Sequence, residues 1–321
     1  MFEKILEGIS GKLGPEKREF FIISHKRYRR EIYFRNTRNA VSFMKVRFNS
    51  LKKGFIFFLI KIGILQPFLK KIILSSKLGD VIFVASQIKS FDLEKKIVYS
   101  FIKNDSEKED FLESKEYQMK MGKKGFAPEI IKFDRKMPFC EEELLKQYNG
   151  NYYAEFFEKL YSYYKNMGIT RISIKGYVKL LKKQMKDNNF MDEKISDLLK
   201  KLSSEKGNLL MTEIHGDFSK EQVLVKEDSY VFIDWNPEKR LILGDWIHFF
   251  NTSEILDKIP FERNKKALEL LKIYPKEVRK NFILYIILDS ISSIINNESD
   301  QEIFFSRLNR LTKIFFKHFS L

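Results

Sequence analysis

His215-Gly216-Asp217 and, seventeen residues beyond that aspartate, Asp234 are the residues whose types and spacing suit chemistry. Val223-Leu224-Val225 reads as a short buried strand, Lys226–Ser229 as a polar turn, and Tyr230–Ile233 as a second strand that delivers Asp234. Two carboxylates set against short strands are what magnesium-dependent phosphoryl transfer requires. One orients or accepts the proton of an attacking hydroxyl, and the other holds the metal that bridges the phosphates. Singly they mean little, since His-Gly-Asp is commonly a turn that glycine bends and aspartate caps. The order and spacing of the pair carry the signal.

With Gln222 five places after Asp217 and Ile233-Asp234-Trp235 closing the second strand, the stretch resembles the aminoglycoside phosphotransferase and choline kinase family. That family's pattern, H-G-D-x-x-x-x-N and then a strand ending in I-D-[FW], is a distant version of the protein-kinase H-R-D and D-F-G set. The resemblance implies an α+β, protein-kinase-like two-lobe fold, with a small antiparallel-sheet N-lobe, a larger and mainly helical C-lobe, and here a basic N-terminal extension. It implies ATP and Mg2+ as cofactors, Asp217 as the catalytic aspartate, Asp234 and Gln222 as metal ligands, and His215 as a residue that orders the loop. Two departures matter. Gln222 stands where the family has asparagine and is longer by one methylene, roughly 1.5 Å. Gly244-Asp245 opens like the family's G-D-P-x-x-D, but Phe249 holds the place of the second aspartate, so Asp245 is read as structural.

The elements that must position these residues begin with a hairpin. Ile72–Leu74 and Val81–Ala85 read as its strands, and a tip carrying Ser75, Ser76 and Gly79 would lay backbone N–H groups over nucleotide phosphates. A third strand, Lys96–Lys103, ends in Lys103, which resembles the phosphate-clamping lysine of V-A-I-K. The helix expected over Glu107–Met121 holds Glu109, Glu113 and Glu116, and the resemblance implies Glu116 as the glutamate that pairs with it. Gly125–Phe133 gives a turn and a strand, and neither a fifth strand nor an adenine-binding hinge is read in Asp134–Cys140. Glu141-Glu142-Glu143 is expected to start a helix. Further helices follow over Tyr152–Met167, Ile172–Met185 and Met191–Leu202, where apolar residues recur at three- and four-residue spacings. After the motifs the chain reads as helical again, with Phe282–Leu288 apolar on every side and a last helix over Ile303–Phe319. The expected division is an extension over 1–71, an N-lobe over 72–136 and a C-lobe over 137–321.

Charge sets the extension apart. Residues 1–78 hold 18 Lys or Arg against 5 Asp or Glu, a net of +13 out of +16, which leaves +3 for the remaining 243. Aromatic and basic residues interleave over Phe20–Phe34, as they do at anionic membrane surfaces and at nucleic acids. Gly54–Leu69 is a 16-residue apolar run containing Lys61 and Pro67, short of the roughly 20 residues that span a bilayer. It is read as a shallow interfacial helix or a helix packed on the body. The membrane face is preferred over nucleic acid as the partner of this segment. Cys140 is the single cysteine, which excludes an intramolecular disulfide framework and fits a reducing compartment. No signal-peptide pattern is read, so a cytoplasmic protein, peripheral at the inner membrane face, is expected. The function expected is transfer of a phosphoryl group to a small-molecule hydroxyl, on a sugar or lipid-linked saccharide. The alternatives are a pseudokinase-like nucleotide-binding scaffold and a nucleic-acid-binding protein.

Overall fold

The computed structural model describes residues 2–13, 16–25, 30–35, 37–47, 69–85, 87–150, 152–252, 265–296 and 305–313. The interfacial helix expected over 54–69 lies outside them, apart from Leu69. Among the described residues, no helix is long and apolar enough to cross a membrane.

The elements run in chain order: α1 (Phe2–Leu13), β1 (Lys17–His25), β2 (Arg30–Phe34), α2 (Arg38–Arg47), β3 (Lys70–Ser75), β4 (Val81–Val84), β5 (Ile88–Asp92), β6 (Ile97–Phe101), α3 (Lys108–Lys123), β7 (Ile130–Asp134), β8 (Phe139–Glu143) and β9 (Lys146–Gln147). Then come α4 (Ala154–Met167), β10 (Thr170–Ser173), α5 (Ile174–Asp187), α6 (Glu193–Leu202), β11 (Asn208–Ile214), β12 (Val223–Lys226), β13 (Ser229–Phe232), β14 (Glu238–Leu241), α7 (Gly244–Thr252), α8 (Lys265–Leu270), α9 (Lys276–Lys280) and α10 (Phe282–Ile295). The chain folds as two compact units, residues 1–148 with 224–233, and residues 149–223 with 234–321. One is built on an antiparallel sheet and the other mainly on helices, the division expected of a protein-kinase-like chain.

The first unit holds an eight-stranded sheet in the order β3-β1-β2-β4-β5-β6-β8-β7, antiparallel at every pairing. Alternation along the strands fills both faces. Ile82, Val84 and Ile88 share one core with Leu6 of α1, while Val81, Phe91 and Val98 share another with Ala40, Val41 and Met44 of α2. The sheet continues across the boundary expected at residue 71, since β1, β2 and β3 are three of its strands. Phe20, Phe21, Tyr33 and Phe34 are core residues, so these rings are not available for stacking on bases.

Three local expectations are corrected. Residues 72–74 and 81–85 do not form a hairpin, because β3 pairs with β1 while β4 pairs with β2 and β5. Glu141–Glu143 belongs to a strand, not a helix: β8 returns between β6 and β7 and buries Cys140 and Glu142 on one face. The sequence did not show this strand. The third strand stops at Phe101, and Lys103 sits in the bend beyond it.

Helix α3 buries Phe111, Lys115, Gln118 and Met121, a helical stripe with two polar members. They face Glu142 of β8. Lys115 Nζ lies 3.2 Å from a Glu142 carboxylate oxygen, and the Gln118 amide donates to the same oxygen. Burial opposes the charge on Glu142, but Lys115, Lys89 and the Gln118 amide hold its carboxyl below the ordinary value. Removing one partner strands a buried charge. Lys115→Met is therefore expected to cost roughly 3–5 kcal/mol, and the double variant Lys115→Met/Glu142→Met to recover most of it. Urea unfolding midpoints of the single and double variants check this.

Candidate active site

In the second unit β11 runs between β10 and β14, with Leu209, Leu210 and Ile214 buried, and ends where His215 begins. The loop that follows is tied down by one carboxylate. Asp245, fully buried near the start of α7, accepts from His215 N at 2.6 Å, Gly216 N at 2.9 Å and the Tyr164 hydroxyl at 2.9 Å. A carboxylate out of water needs such donors, and backbone N–H groups at a turn need an acceptor. Asp245 is thus the loop's organiser, as expected. The proximity of its charge and the loss of water both push the Tyr164 phenol far above its usual range, burial being the larger cause.

The second motif loop is joined to the first. After β13 the chain turns and pairs β14 with β11, Ile214 opposite Glu238, which lays residues 234–237 beside the His-Gly-Asp turn. Asn236 N donates to His215 O at 3.0 Å. Gly216 has a φ of +92°, and a Cβ there would stand 1.8 Å from Asn236 O. Both the conformation and the approach require glycine. The His215 ring is buried with its centroid 4.5 Å from that of Trp235 and 5.4 Å from that of Phe218. His215 therefore braces the seam between the loops. Asp217 and Asp234 both emerge from it exposed. Asp234 has a φ of +59°, a left-handed conformation that aspartate tolerates better than most residues.

Both oxygens of Asp217 are held. His248 Nε2 lies 3.0 Å from Oδ1, and the Gln222 amide nitrogen donates to Oδ2 at 3.2 Å. The hydrogen bond from His248 is the main cause that keeps the Asp217 carboxyl below its ordinary value. Burial pulls His248 down, but the hydrogen bond and charge of Asp217, with the charges of Asp245 and Asp289, raise it overall. Gln222 closes a capping box on the single 3-10 turn Lys220–Gln222, its amide oxygen accepting from Ser219 N at 2.6 Å. That oxygen keeps a second lone pair, so it can still serve as a donor to a cation. No group of three or more His, Cys, Asp or Glu suited to a metal occurs among the described residues. Magnesium bound by one or two protein oxygens together with substrate phosphates needs no such cage, so Asp234 and Gln222 fit the ion chemically.

The residues expected to hold the nucleotide lie in the first unit. Glu116 is ion-paired with Arg135 at 2.9 Å on an exposed face. The buried lysine–glutamate pair of this unit is Lys115–Glu142, which the sequence reading missed. Around Ser75, Ser76 and Gly79, expected to cradle phosphates, several backbone groups are bonded within the fold. Ser75 N donates to Ser10 Oγ, Lys77 N to Ser75 Oγ and Asp80 N to Phe91 O, while Gly79 is pressed against the Phe91 carbonyl. Cys140 is buried and its thiol pushed up to about 12, which removes it as a nucleophile. His248 was also missed, because a histidine inside the apolar run Trp246–Phe250 reads as packing.

No protein-family model and no curated protein matches the sequence. Among solved structures, the chain is similar to the choline kinase LicA of Streptococcus pneumoniae, at 13% identity over 71% of this chain and 88% of that one, with a TM-score of 0.44. It is similar at 14% identity to the choline kinase of Cryptosporidium parvum, over 75% and 87%, with a TM-score of 0.44. A choline/ethanolamine kinase family protein of Mesorhizobium loti matches at 12% identity over 73% and 84%, with a TM-score of 0.41. Identities and scores this low leave the functional reading to the chain's own residues.

The seam between the loops has a direct test. Gly216→Ala forces a Cβ into Asn236 O at a positive φ, and strain and overpacking together are expected to cost roughly 2–5 kcal/mol. A thermal or urea unfolding comparison reads it, and a variant as stable as the parent would show that the two loops are not in contact.

Proposed function

We propose that this chain is an ATP-dependent phosphotransferase that moves a phosphoryl group onto the hydroxyl of a small molecule. The observation that supports the reading best is the seam at residues 215–217 and 234–236, which joins two exposed carboxylates through their loops. The two have different surroundings, as different roles require. Asp217 is gripped by two neutral or cationic donors and is suited to orient a hydroxyl proton; in a loose transition state the proton leaves late, so position counts for more than basicity. Asp234, at its turn, is suited to hold Mg2+, with Gln222 as second ligand. When bound there, magnesium would neutralise charge on the phosphates of the nucleotide. Lys103 is assigned to the phosphates. Glu116 also pairs with Arg135.

For the acceptor, a sugar or lipid-linked saccharide hydroxyl is our assignment. The +13 charge of residues 1–78 supports an anionic membrane face as the place of work, through exposed side chains such as Lys17, Arg18 and Lys71. One observation favours a second reading, a pseudokinase-like scaffold: the Gln222 oxygen is already bonded to Ser219 N.

The test is a panel of sugars and saccharide-lipid precursors incubated with Mg·ATP. Turnover is expected in the parent and a loss of the order of 10²–10⁴-fold in Asp217→Asn. ATP should raise the unfolding temperature in a magnesium-dependent way, and Asp234→Asn should abolish the magnesium-dependent part. Stabilisation by nucleotide without magnesium dependence or turnover would favour the scaffold. Neither stabilisation nor turnover would overturn both.

A further inference from the structure

We propose that His248 is a positioning residue for Asp217, fixing the carboxylate in the rotamer that faces the acceptor hydroxyl; this rests on the phosphotransferase reading. The Asp217 side chain is 57% exposed, so packing does not choose its rotamer. Hydrogen bonds must do so. The Gln222 amide, itself part of a short turn, secures Oδ2, and His248 Nε2 secures Oδ1.

The source of that second bond is what makes it a device of the fold. His248 lies three residues after Asp245 on α7, and residues at i and i+3 share one face of a helix. The same face therefore holds the backbone of the loop, through Asp245 to His215 N and Gly216 N, and the side chain of its aspartate, through His248. The helix is a firm platform, with Trp246, Ile247 and Phe249 fully buried. A shift of α7 would move both together.

The charges around His248 suit the role. Asp217 faces it from the loop after β11, Asp245 from its own helix and Asp289 from α10. Three carboxylates around one imidazole favour the protonated ring, whose Nε2–H can only donate. The direction of the His248 shift sets the pH limit. The raised value of His248 means that the pairing is complete in acid relative to an ordinary histidine and is lost as pH rises through the raised value. Below that value the imidazolium holds the carboxylate.

The probe is Mg·ATP with water as acceptor: water attacks the γ-phosphorus, the bond to ADP breaks, and the proton passes to Asp217. His248→Leu is expected to lower kcat by roughly a hundredfold with KM for ATP unchanged, while His248→Gln, which keeps a donor, stays within about tenfold of the parent. The alkaline limb of the parent's rate should be missing from His248→Gln. Independently of turnover, the imidazole nitrogen signals of His248 are followed by NMR through a pH titration, and its midpoint should drop in Asp217→Asn. An unmoved midpoint overturns the pairing, and equal kcat in all three proteins overturns the positioning role. A shifted midpoint in a parent that shows no turnover would instead overturn the phosphotransferase reading and leave the pairing standing.

Discussion

One buried carboxylate carries the arrangement on which the rest depends. Asp245 accepts from two consecutive backbone N–H groups and a tyrosine hydroxyl, with no water access. Its desolvation is expensive, so it is stable only with the full donor set in place. Conversely, the His-Gly-Asp turn holds its shape because the anion organises it. The seam to Asn236, the exposure of Asp217 and the reach of His248 all follow from that mutual requirement. Here the support comes from behind, out of the core of the helical unit.

The sheet unit solves a similar problem with opposite means. Lys115 and Glu142 bury both charges and share the Gln118 amide, so helix α3 is held to β8 by a polar contact in an otherwise apolar stripe. Ionic contacts inside a core add little net stability, but removing one partner leaves the other as a costly buried charge. That contact belongs to the fold. The described part of the basic N-terminal segment likewise does two things at once, with Phe20, Phe21, Tyr33 and Phe34 in the core and Lys17, Arg18 and Lys71 exposed.

Much of this was legible in the amino-acid order. The paired motif was readable because its chemistry-bearing residues sit at fixed distances from short apolar runs. The helices of the second unit were readable because apolar residues recur every three or four places. What was misread has specific causes. Glu141-Glu142-Glu143 favours helix by intrinsic propensity, and cross-strand pairing on both sides overrides it. The partner of β3 is β1, about fifty residues earlier, and no local pattern reports such a pairing. The stripe Phe111, Lys115, Gln118 was readable by periodicity, but its polar members hid it. His248 could have been found by noticing that it shares a helix face with Asp245.

The backbone at Asp234 has an implication for how this site is dissected. Its left-handed torsion limits the position to few residue types, chiefly glycine, asparagine and aspartate. Alanine there would add conformational strain to the removal of a charge, and glutamate would keep the charge while bearing the same strain. Loss of function in either substitution would mix two effects that asparagine separates. The side-chain chemistry and the turn are therefore selected together, and a scan that ignores the torsion would credit the carboxylate with what belongs to the bend.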